Sequence, residues 1–486
     1  MSTKRRVIGF AAGRATSQVA VILRGILIAR LVGPENMGVA ATFMVVVSFV
    51  EMFSTTGSDR FLIQDEEGAE PKTARTLQLV AMLRGIVLAL AILALAWPVS
   101  GAFETRTAVW GYIALAIIPL CRGLQNLDWA VQQRALRPKT SVLMGVIGEV
   151  SALLVAVIVG YITRDWWASV ASMVTQAFVV SLVSHFRAER RWTIGFDREI
   201  ARRAFRFATP LFVSGLLLFL AMQGDRVAVS IADSLRGSAT YDLADLGRYA
   251  VAGSIALLPT VICSDLAYAV FLPWIRASTD DAVARRRRRD IVVLYGVFGL
   301  LFVAGVSTVG GPILTLLFGQ SFGNMALLIA LLGTAQAVRI LRVTANVAAM
   351  STGNTKNILF GSIGRTTGVG LALAMTLYGQ PLEFVAACAV GGELIALSIA
   401  EFHVQRSTRS RAGLGWLVPG IVALMATTLI LGVWMSRSAG PWLSCAALFL
   451  LAGVALAACW QFSPTLRSNI REIATLLRQS KGRTAT

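Results

Sequence analysis

Arginines interrupt stretches of sequence that are otherwise apolar, and they are the residues with the clearest chemical meaning in this chain. There are ten of them: Arg14, Arg24, Arg30, Arg84, Arg122, Arg226, Arg248, Arg339, Arg342 and Arg365. A guanidinium binds phosphate oxygens through paired hydrogen bonds, and these are strongest away from bulk water. Because a guanidinium that faces hydrocarbon is costly, each of these arginines must pair with an acid or line a polar cavity. The pattern therefore predicts anion binding inside the protein.

Several of these arginines share a helical face with other polar residues. Gln336, Arg339, Arg342 and Asn346 recur at steps of three and four residues, which places them on one side of a helix. Two earlier segments carry similar stripes: Arg14, Ser17, Gln18 and Arg24, and then Ser48, Glu51, Thr55 and Ser58. Three polar faces from the two halves of the chain predict a single cavity between those halves.

We predict two sets of site residues from these patterns. The substrate-binding candidates are Arg24, Arg84, Arg339, Arg342, Arg365, Gln18, Gln336 and Asn346. The candidates for ion coupling are the acids inside apolar stretches: Glu51, Glu149, Asp225, Asp265 and Glu393. Two alternatives stay open, because the deep arginines can also form internal ion pairs and each acid can neutralise an arginine instead of titrating.

The helices that must position these residues follow from the composition. Of 486 residues, 56% are apolar and 15% charged, against about 45–50% and about 25% in soluble proteins. Fourteen apolar stretches are long enough to cross a bilayer: 7–31, 36–58, 75–98, 107–127, 140–161, 166–186, 207–232, 244–272, 291–316, 323–351, 357–377, 382–402, 413–434 and 440–460. The sequence predicts an all-α, polytopic membrane protein with about 14 transmembrane helices.

The loop charges predict the orientation. When the spans alternate from a cytoplasmic N-terminus, most loop Lys and Arg residues fall on the cytoplasmic side, as the positive-inside rule expects. The net charge of +19 then needs no nucleic-acid partner, and the run from Arg285 to Arg289 is interpreted as a topology anchor that touches anionic lipid. We expect a multi-pass protein of the bacterial inner membrane with both termini in the cytoplasm.

The span order predicts two six-helix lobes that form a parallel pseudo-repeat, followed by two further helices. The expected divisions are an N-lobe at 1–186, a basic cytoplasmic linker at 187–206, a C-lobe at 207–402, two additional spans within 403–460 and an amphipathic basic tail at 461–486. Pro119 and Pro259 lie inside predicted spans, where a proline favours a bend.

Three short motifs carry a family resemblance. Ala29-Arg30 is followed by Gly33-Pro34-Glu35 and Gly38; Asp225-Arg226 precedes Leu246-Gly247-Arg248-Tyr249-Ala250; and Thr352 to Lys356 read Thr-Gly-Asn-Thr-Lys. The layout resembles the Wzx-type polysaccharide repeat-unit flippases of the multidrug/oligosaccharidyl-lipid/polysaccharide exporter superfamily. The lipid II flippases look like more distant relatives. Two arginines in their first helix are similar to Arg24 and Arg30, but no acidic residue follows Gly38 here.

The resemblance implies a monomeric flippase that carries a polyprenyl-diphosphate-linked glycan, an exopolysaccharide or O-antigen repeat unit, by alternating access. The expected partners are this glycan, membrane lipid and a polysaccharide polymerase with its glycosyltransferases. No cofactor is expected, and proton or sodium coupling is left open. Arg24, Arg339, Arg342 and Arg365 are then the candidates for diphosphate contacts.

Other classes of protein fit the sequence less well. A drug or cation antiporter of the same superfamily would need a less basic cavity. A membrane polymerase or ligase would need a large outer loop. No catalytic residue or metal ligand is predicted, because the sequence has no nucleophile–His–acid set, no phosphate loop and no Cys-x-x-Cys pair.

Overall fold

The computed structural model describes residues 3–54, 57–135, 137–237, 240–278, 280–353, 356–407, 417–447 and 449–450. It is 88% helical, with no strand among the residues it describes. The helices, numbered in chain order, are α1 (Thr3–Ser54), α2 (Ser58–Gln64), α3 (Pro71–Ala102), α4 (Val109–Leu115), α5 (Ile117–Leu124), α6 (Asp128–Arg134), α7 (Lys139–Thr163), α8 (Trp167–Phe186), α9 (Arg198–Arg236), α10 (Leu243–Leu266), α11 (Leu272–Arg276), α12 (Asp281–Thr308), α13 (Gly310–Phe318), α14 (Ala326–Ser351), α15 (Lys356–Leu377), α16 (Leu382–Ser407) and α17 (Leu417–Ser438).

Helix α1 contains two of the predicted spans. Its apolar part, Gly13–Met52, has 40 residues, about twice the length that one crossing requires. Gly33 interrupts the helix with φ 77° and ψ 176°, a conformation that favours glycine, and Pro34 begins the second half. The break falls in the gap predicted between 7–31 and 36–58.

The predicted all-α membrane fold is confirmed. Twelve described helical segments are long and apolar enough to span a membrane. Because the first contains two predicted spans, thirteen of the fourteen are matched. Most of the last one, 440–460, lies outside the described residues, as does the predicted amphipathic tail.

Three spans are less regular than the sequence suggests. The helix predicted at 107–127 is divided at Ala116, close to Pro119, which has no N–H to donate. The helix predicted at 291–316 ends at Thr308, before Gly310. Pro259 lies inside the continuous helix α10, while a π-helical segment, Ala267–Phe271, precedes Pro273.

The chain forms two compact units, unit 1 up to Val251 and unit 2 from Ala252. In unit 1, α7 packs against α1 and α8, α3 packs against α5, and α9 packs against α1 and α3. In unit 2, α14 is central and packs against α12 and α16, while α15 packs along α16. The lobe boundaries expected from the span order stay a prediction.

The apolar core of unit 1 is built around Tyr112. Its ring centroid lies 4.8 Å from that of Phe43, which lies 5.5 Å from Trp166, and both contacts are edge to face. The Tyr112 hydroxyl shares hydrogen bonds with the hydroxyls of Thr42 (2.6 Å) and Thr105 (2.8 Å). The polar group at the centre of this core is therefore satisfied.

Two of the sequence motifs meet inside unit 1. A Cβ atom on Gly38 would collide with the carbonyl of Leu243, and one on Gly247 would collide with the carbonyl of Pro34. Glycine at both positions therefore lets the backbone of α1 approach the start of α10 closely.

The linker predicted at 187–206 is attached to unit 1 and is partly helical. The buried carboxylate of Asp128 accepts the backbone N–H of Glu189 (2.7 Å), and Asn126 donates to the carbonyl of Arg190 (3.1 Å). Helix α9 begins at Arg198, where the Asp197 side chain caps its first backbone N–H groups.

Candidate functional site

The strongest concentration of buried charge in unit 2 lies around Glu393 of α16, which is 2% exposed. Its Oε2 atom lies 3.0 Å from Nε of Arg342, and its Oε1 atom lies 3.0 Å from Nε of Arg365. Arg339, one turn before Arg342 on α14, is close enough to interact electrostatically with all three groups. We call Arg339, Arg342, Arg365 and Glu393 the arginine cluster of unit 2.

Small residues on α15 and α16 make this cluster possible. A Cβ atom on Gly368 would lie 2.8 Å from Cα of Gly392, so the two helices touch through their backbones. This close approach brings Arg365, one turn before Gly368, next to Glu393. On the other side, Gly361 leaves room for the Arg342 guanidinium, which would lie 3.3 Å from a Cβ atom there.

The polar stripe predicted on α14 is partly used in packing. Oε1 of Gln336 accepts a hydrogen bond from Thr260 of α10 (3.0 Å). Asn346 is 6% exposed, and its Oδ1 atom has no hydrogen-bond partner among the described residues. The structure therefore places Gln336 and Asn346 on the same helix as Arg339 and Arg342 of the cluster.

In unit 1, two of the predicted arginines, Arg24 and Arg122, lie against acids of neighbouring helices. Arg24 lies 3.0 Å from Glu149, whose second oxygen accepts from Gln176 (3.4 Å). Arg122 lies 2.5 Å from Glu51. Glu51 and Glu149, predicted as coupling groups, are thus placed in ion pairs, which is the alternative that the sequence left open. Their roles as coupling groups, and that of Glu393, stay predictions.

The other predicted residues are placed separately. Asp225 of α9 accepts the Tyr249 hydroxyl (2.8 Å), so two motif residues bind each other across α9 and α10. Asp265 lies near the end of α10 and also interacts with other groups. Gln18 is exposed on α1. Its role in substrate binding stays a prediction.

Arg84 of α3 differs from Arg24 and Arg122, which are paired with acids. It forms no hydrogen bond and no ion pair within 4 Å in the part of the chain that the structure describes. It lines a cavity of about 270 Å³, whose other polar lining includes Ser58, Asp59, Arg122, Gln125 and Gln176. We call this the Arg84 cavity.

The sequence did not reveal Asp59, Gln125 or Trp129 as lining residues. They lie in or beside the short helices α2, α5 and α6, where no long apolar pattern reports which way a side chain points. Burial raises the pKa of Asp59 above its usual value, although the neighbouring Arg60 and Arg84 act in the opposite direction.

Comparison with solved structures identifies the class of fold. The structure of lipid II flippase MurJ in an inward closed conformation matches with a TM-score of 0.70 at 12% identity, over 92% of this chain and 98% of that one. An inward-facing multidrug resistance MATE family transporter of the MOP superfamily matches with a TM-score of 0.59 at 15% identity, over 82% and 96%. The chain has the fold of these membrane transporters.

Sequence comparison identifies the family. The model of the family described as "Polysaccharide biosynthesis protein" matches residues 27–327, more than half of the chain, so the protein belongs to this family. The succinoglycan biosynthesis transport protein ExoT of Rhizobium meliloti (strain 1021) is 22% identical over 320 residues. That match covers 64% of this chain, and the chain spans 62% of the relative's length. The family resemblance seen in the motifs is confirmed.

Proposed function

We propose that this protein is a flippase that moves a polyprenyl-diphosphate-linked oligosaccharide across the bacterial inner membrane. The family, the name of the Rhizobium relative and the transporter fold all support this function. Flipping such a lipid makes and breaks no bond. The protein must bind the charged headgroup and the glycan away from hydrocarbon, while the polyprenyl tail stays in lipid.

The observation that carries the proposal is the charge of the arginine cluster of unit 2. Three guanidinium groups lie around the carboxylate of Glu393, and the side chains of Arg342 and Glu393 are only 8% and 3% exposed. Taken by themselves, these four side chains sum to a charge of +2, and Arg339 and Arg365 also interact with further groups. Arg339 lies close enough to Arg342 and Arg365 to be repelled by them, so an anion that joins the cluster would be stabilised there.

A diphosphate has the chemistry that fits this surplus. Its oxygens accept paired hydrogen bonds from arginine, and in a site of low dielectric constant these bonds are stronger than in water. A cationic drug would meet repulsion in the same place. The cluster therefore favours a phosphate-bearing lipid over the cations that an antiporter of similar fold would carry.

The transport cycle extends this proposal. Alternating access, a monomeric state, cytoplasmic termini and coupling to protons or sodium ions are proposed from the family resemblance. Glu393 is the coupling candidate whose titration would change anion binding most directly, because its protonation would free Arg342 and Arg365 from their carboxylate partner.

The proposal is tested in a strain that lacks the gene and is complemented with variants. We expect the double variant Arg339→Gln, Arg342→Gln to accumulate lipid-linked repeat units on the inner leaflet and to lose surface polysaccharide, at wild-type protein level. The matched control is Arg288→Gln, which breaks another buried arginine–glutamate pair of unit 2, with Glu401. Normal polymer in the double variant would contradict the proposal.

A further inference from the structure

The Arg84 cavity lies within unit 1 and has no part in the arginine cluster of unit 2. It is lined by residues of α2, α3, α5, α6, α7 and α8, together with the segment that joins α5 to α6. It lies at the end of these helices where the loops expected to be cytoplasmic begin. We propose that this cavity is a binding site for an oxyanion of the phosphate class.

The lining presents hydrogen-bond donors without partners. The Arg84 guanidinium is unpaired among the described residues and lines the cavity. Guanidinium N–H groups donate and cannot accept. A ligand beside Arg84 must therefore offer acceptor atoms and a negative charge, as an oxyanion does.

Two further side chains support a built site. Gln125 is 8% exposed and Ser58 is 6% exposed, and neither side chain has a hydrogen-bond partner in the described part of the chain. Buried polar groups are rarely left unpaired, because each loses its bonds to water. Their presence in the wall of a cavity indicates that a ligand or water completes them.

The cavity has room for the ligand. Its volume of about 270 Å³ lies just below the range of about 300–1,000 Å³ that is usual for pockets that bind drug-sized molecules, so a phosphate or diphosphate group fits. The proposal concerns this charged group alone.

Asp59 is an acid in the cavity lining, where its negative charge opposes the binding of an anion. It lines the same cavity and interacts electrostatically with Arg84, without forming an ion pair within 4 Å. An anion beside Arg84 would repel an ionised Asp59. The charged groups that interact with Asp59 are Arg60 on its own helix and Arg84 of α3, and Arg122 of α5 lines the same cavity. Removing the Asp59 charge should therefore strengthen anion binding.

The test measures equilibrium binding of radiolabelled inorganic diphosphate to the purified full-length protein in nanodiscs of phosphatidylcholine. We expect Arg84→Gln to weaken binding at this site by about tenfold or more, as the loss of a charge-assisted hydrogen bond predicts. We expect Asp59→Asn to tighten it by about threefold, because a negative charge in the wall of the cavity is removed. An unfolded variant cannot bind more tightly, so Asp59→Asn tests the site independently of folding.

The matched control is Arg137→Gln, which removes an exposed arginine of the same unit that is paired with Glu189. It should bind like the wild type. The proposal is overturned if the wild type shows no saturable binding, or if Arg84→Gln binds diphosphate as tightly as the wild type does.

The proposals for this site and for the substrate site of unit 2 can be contradicted independently of each other. If both exist, the wild type binds two diphosphates, Arg84→Gln loses one, and the Arg339→Gln, Arg342→Gln variant loses the other. Discs that contain polyprenyl diphosphate identify the source of the natural ligand. Competition by this lipid at the Arg84 site assigns the site to the lipid headgroup, whereas competition by soluble phosphate alone assigns it to a free anion.

Discussion

The two units handle buried arginine in different ways. In unit 1, Arg24 pairs with Glu149 and Arg122 pairs with Glu51. Arg84 of the same unit has no ion pair in the described part of the chain and lines a cavity. In unit 2, three arginines gather around Glu393. In a one-to-one pair each charge is neutralised by its partner, so such pairs mainly hold helices together. A surplus of positive charge is what an anion can use. On our proposals, the paired arginines of unit 1 stabilise the fold, whereas Arg84 and the arginine cluster of unit 2 bind anions.

The largest effect should come from removing the shared carboxylate. Glu393→Gln removes the carboxylate that lies against both Arg342 and Arg365, and it should cost about 3–5 kcal/mol, the usual loss when one partner of a buried ion pair is removed. Glu149→Gln breaks a pair that is 15–18% exposed, and it should cost less. Thermal unfolding of the purified proteins in detergent measures both. An equal loss of stability in the two variants would contradict the difference that we infer between the buried ion pairs of the two units.

The next effect concerns the contact that positions Glu393. Gly392→Ala places a Cβ atom 2.8 Å from Cα of Gly368, so α15 and α16 must move apart, at about 1–3 kcal/mol. Gly391→Ala is the control, since nothing lies within 4 Å of a Cβ atom there. We expect only Gly392→Ala to lower both stability and polysaccharide export. If Gly391→Ala does the same, the backbone contact is not what matters.

Unit 1 offers a direct comparison of a paired and an unpaired arginine. Arg24→Gln leaves the carboxylate of Glu149 without its cation and should destabilise the protein by about 1–3 kcal/mol. Arg84→Gln breaks no ion pair among the described residues, so it should change the stability of the protein little. The melting temperatures of the two variants test this order, and a larger loss for Arg84→Gln would show that Arg84 is structural.

The smallest effect is a pH dependence at Asp59. Its pKa in the folded protein is raised by burial. Between its usual pKa and the raised one, the folded state holds a proton that the unfolded state has released. Stability therefore falls as the pH rises through this window. Asp59→Asn should remove that decline. A wild type and variant with parallel stability–pH curves would contradict this interpretation.

Much of the architecture could be predicted from the sequence. Thirteen of the fourteen predicted apolar stretches lie on the twelve span-length helical segments of the described residues, because a backbone in hydrocarbon must satisfy its own hydrogen bonds, as a helix does. The Gly33-Pro34 step predicted the interruption in α1. The motifs predicted the family, and the structure explains two of their glycines, Gly38 and Gly247, as points of backbone contact.

The sequence also determined that the arginines must avoid lipid, since their charge is costly there whatever their neighbours are. Only the tertiary structure decided which ones are neutralised. Arg24 and Glu149, or Arg342 and Glu393, lie far apart along the chain and meet because particular helices pack side by side. Helical periodicity gives the face on which a residue lies, but not the helix that the face meets, which depends on the packing of small residues such as Gly368 against Gly392.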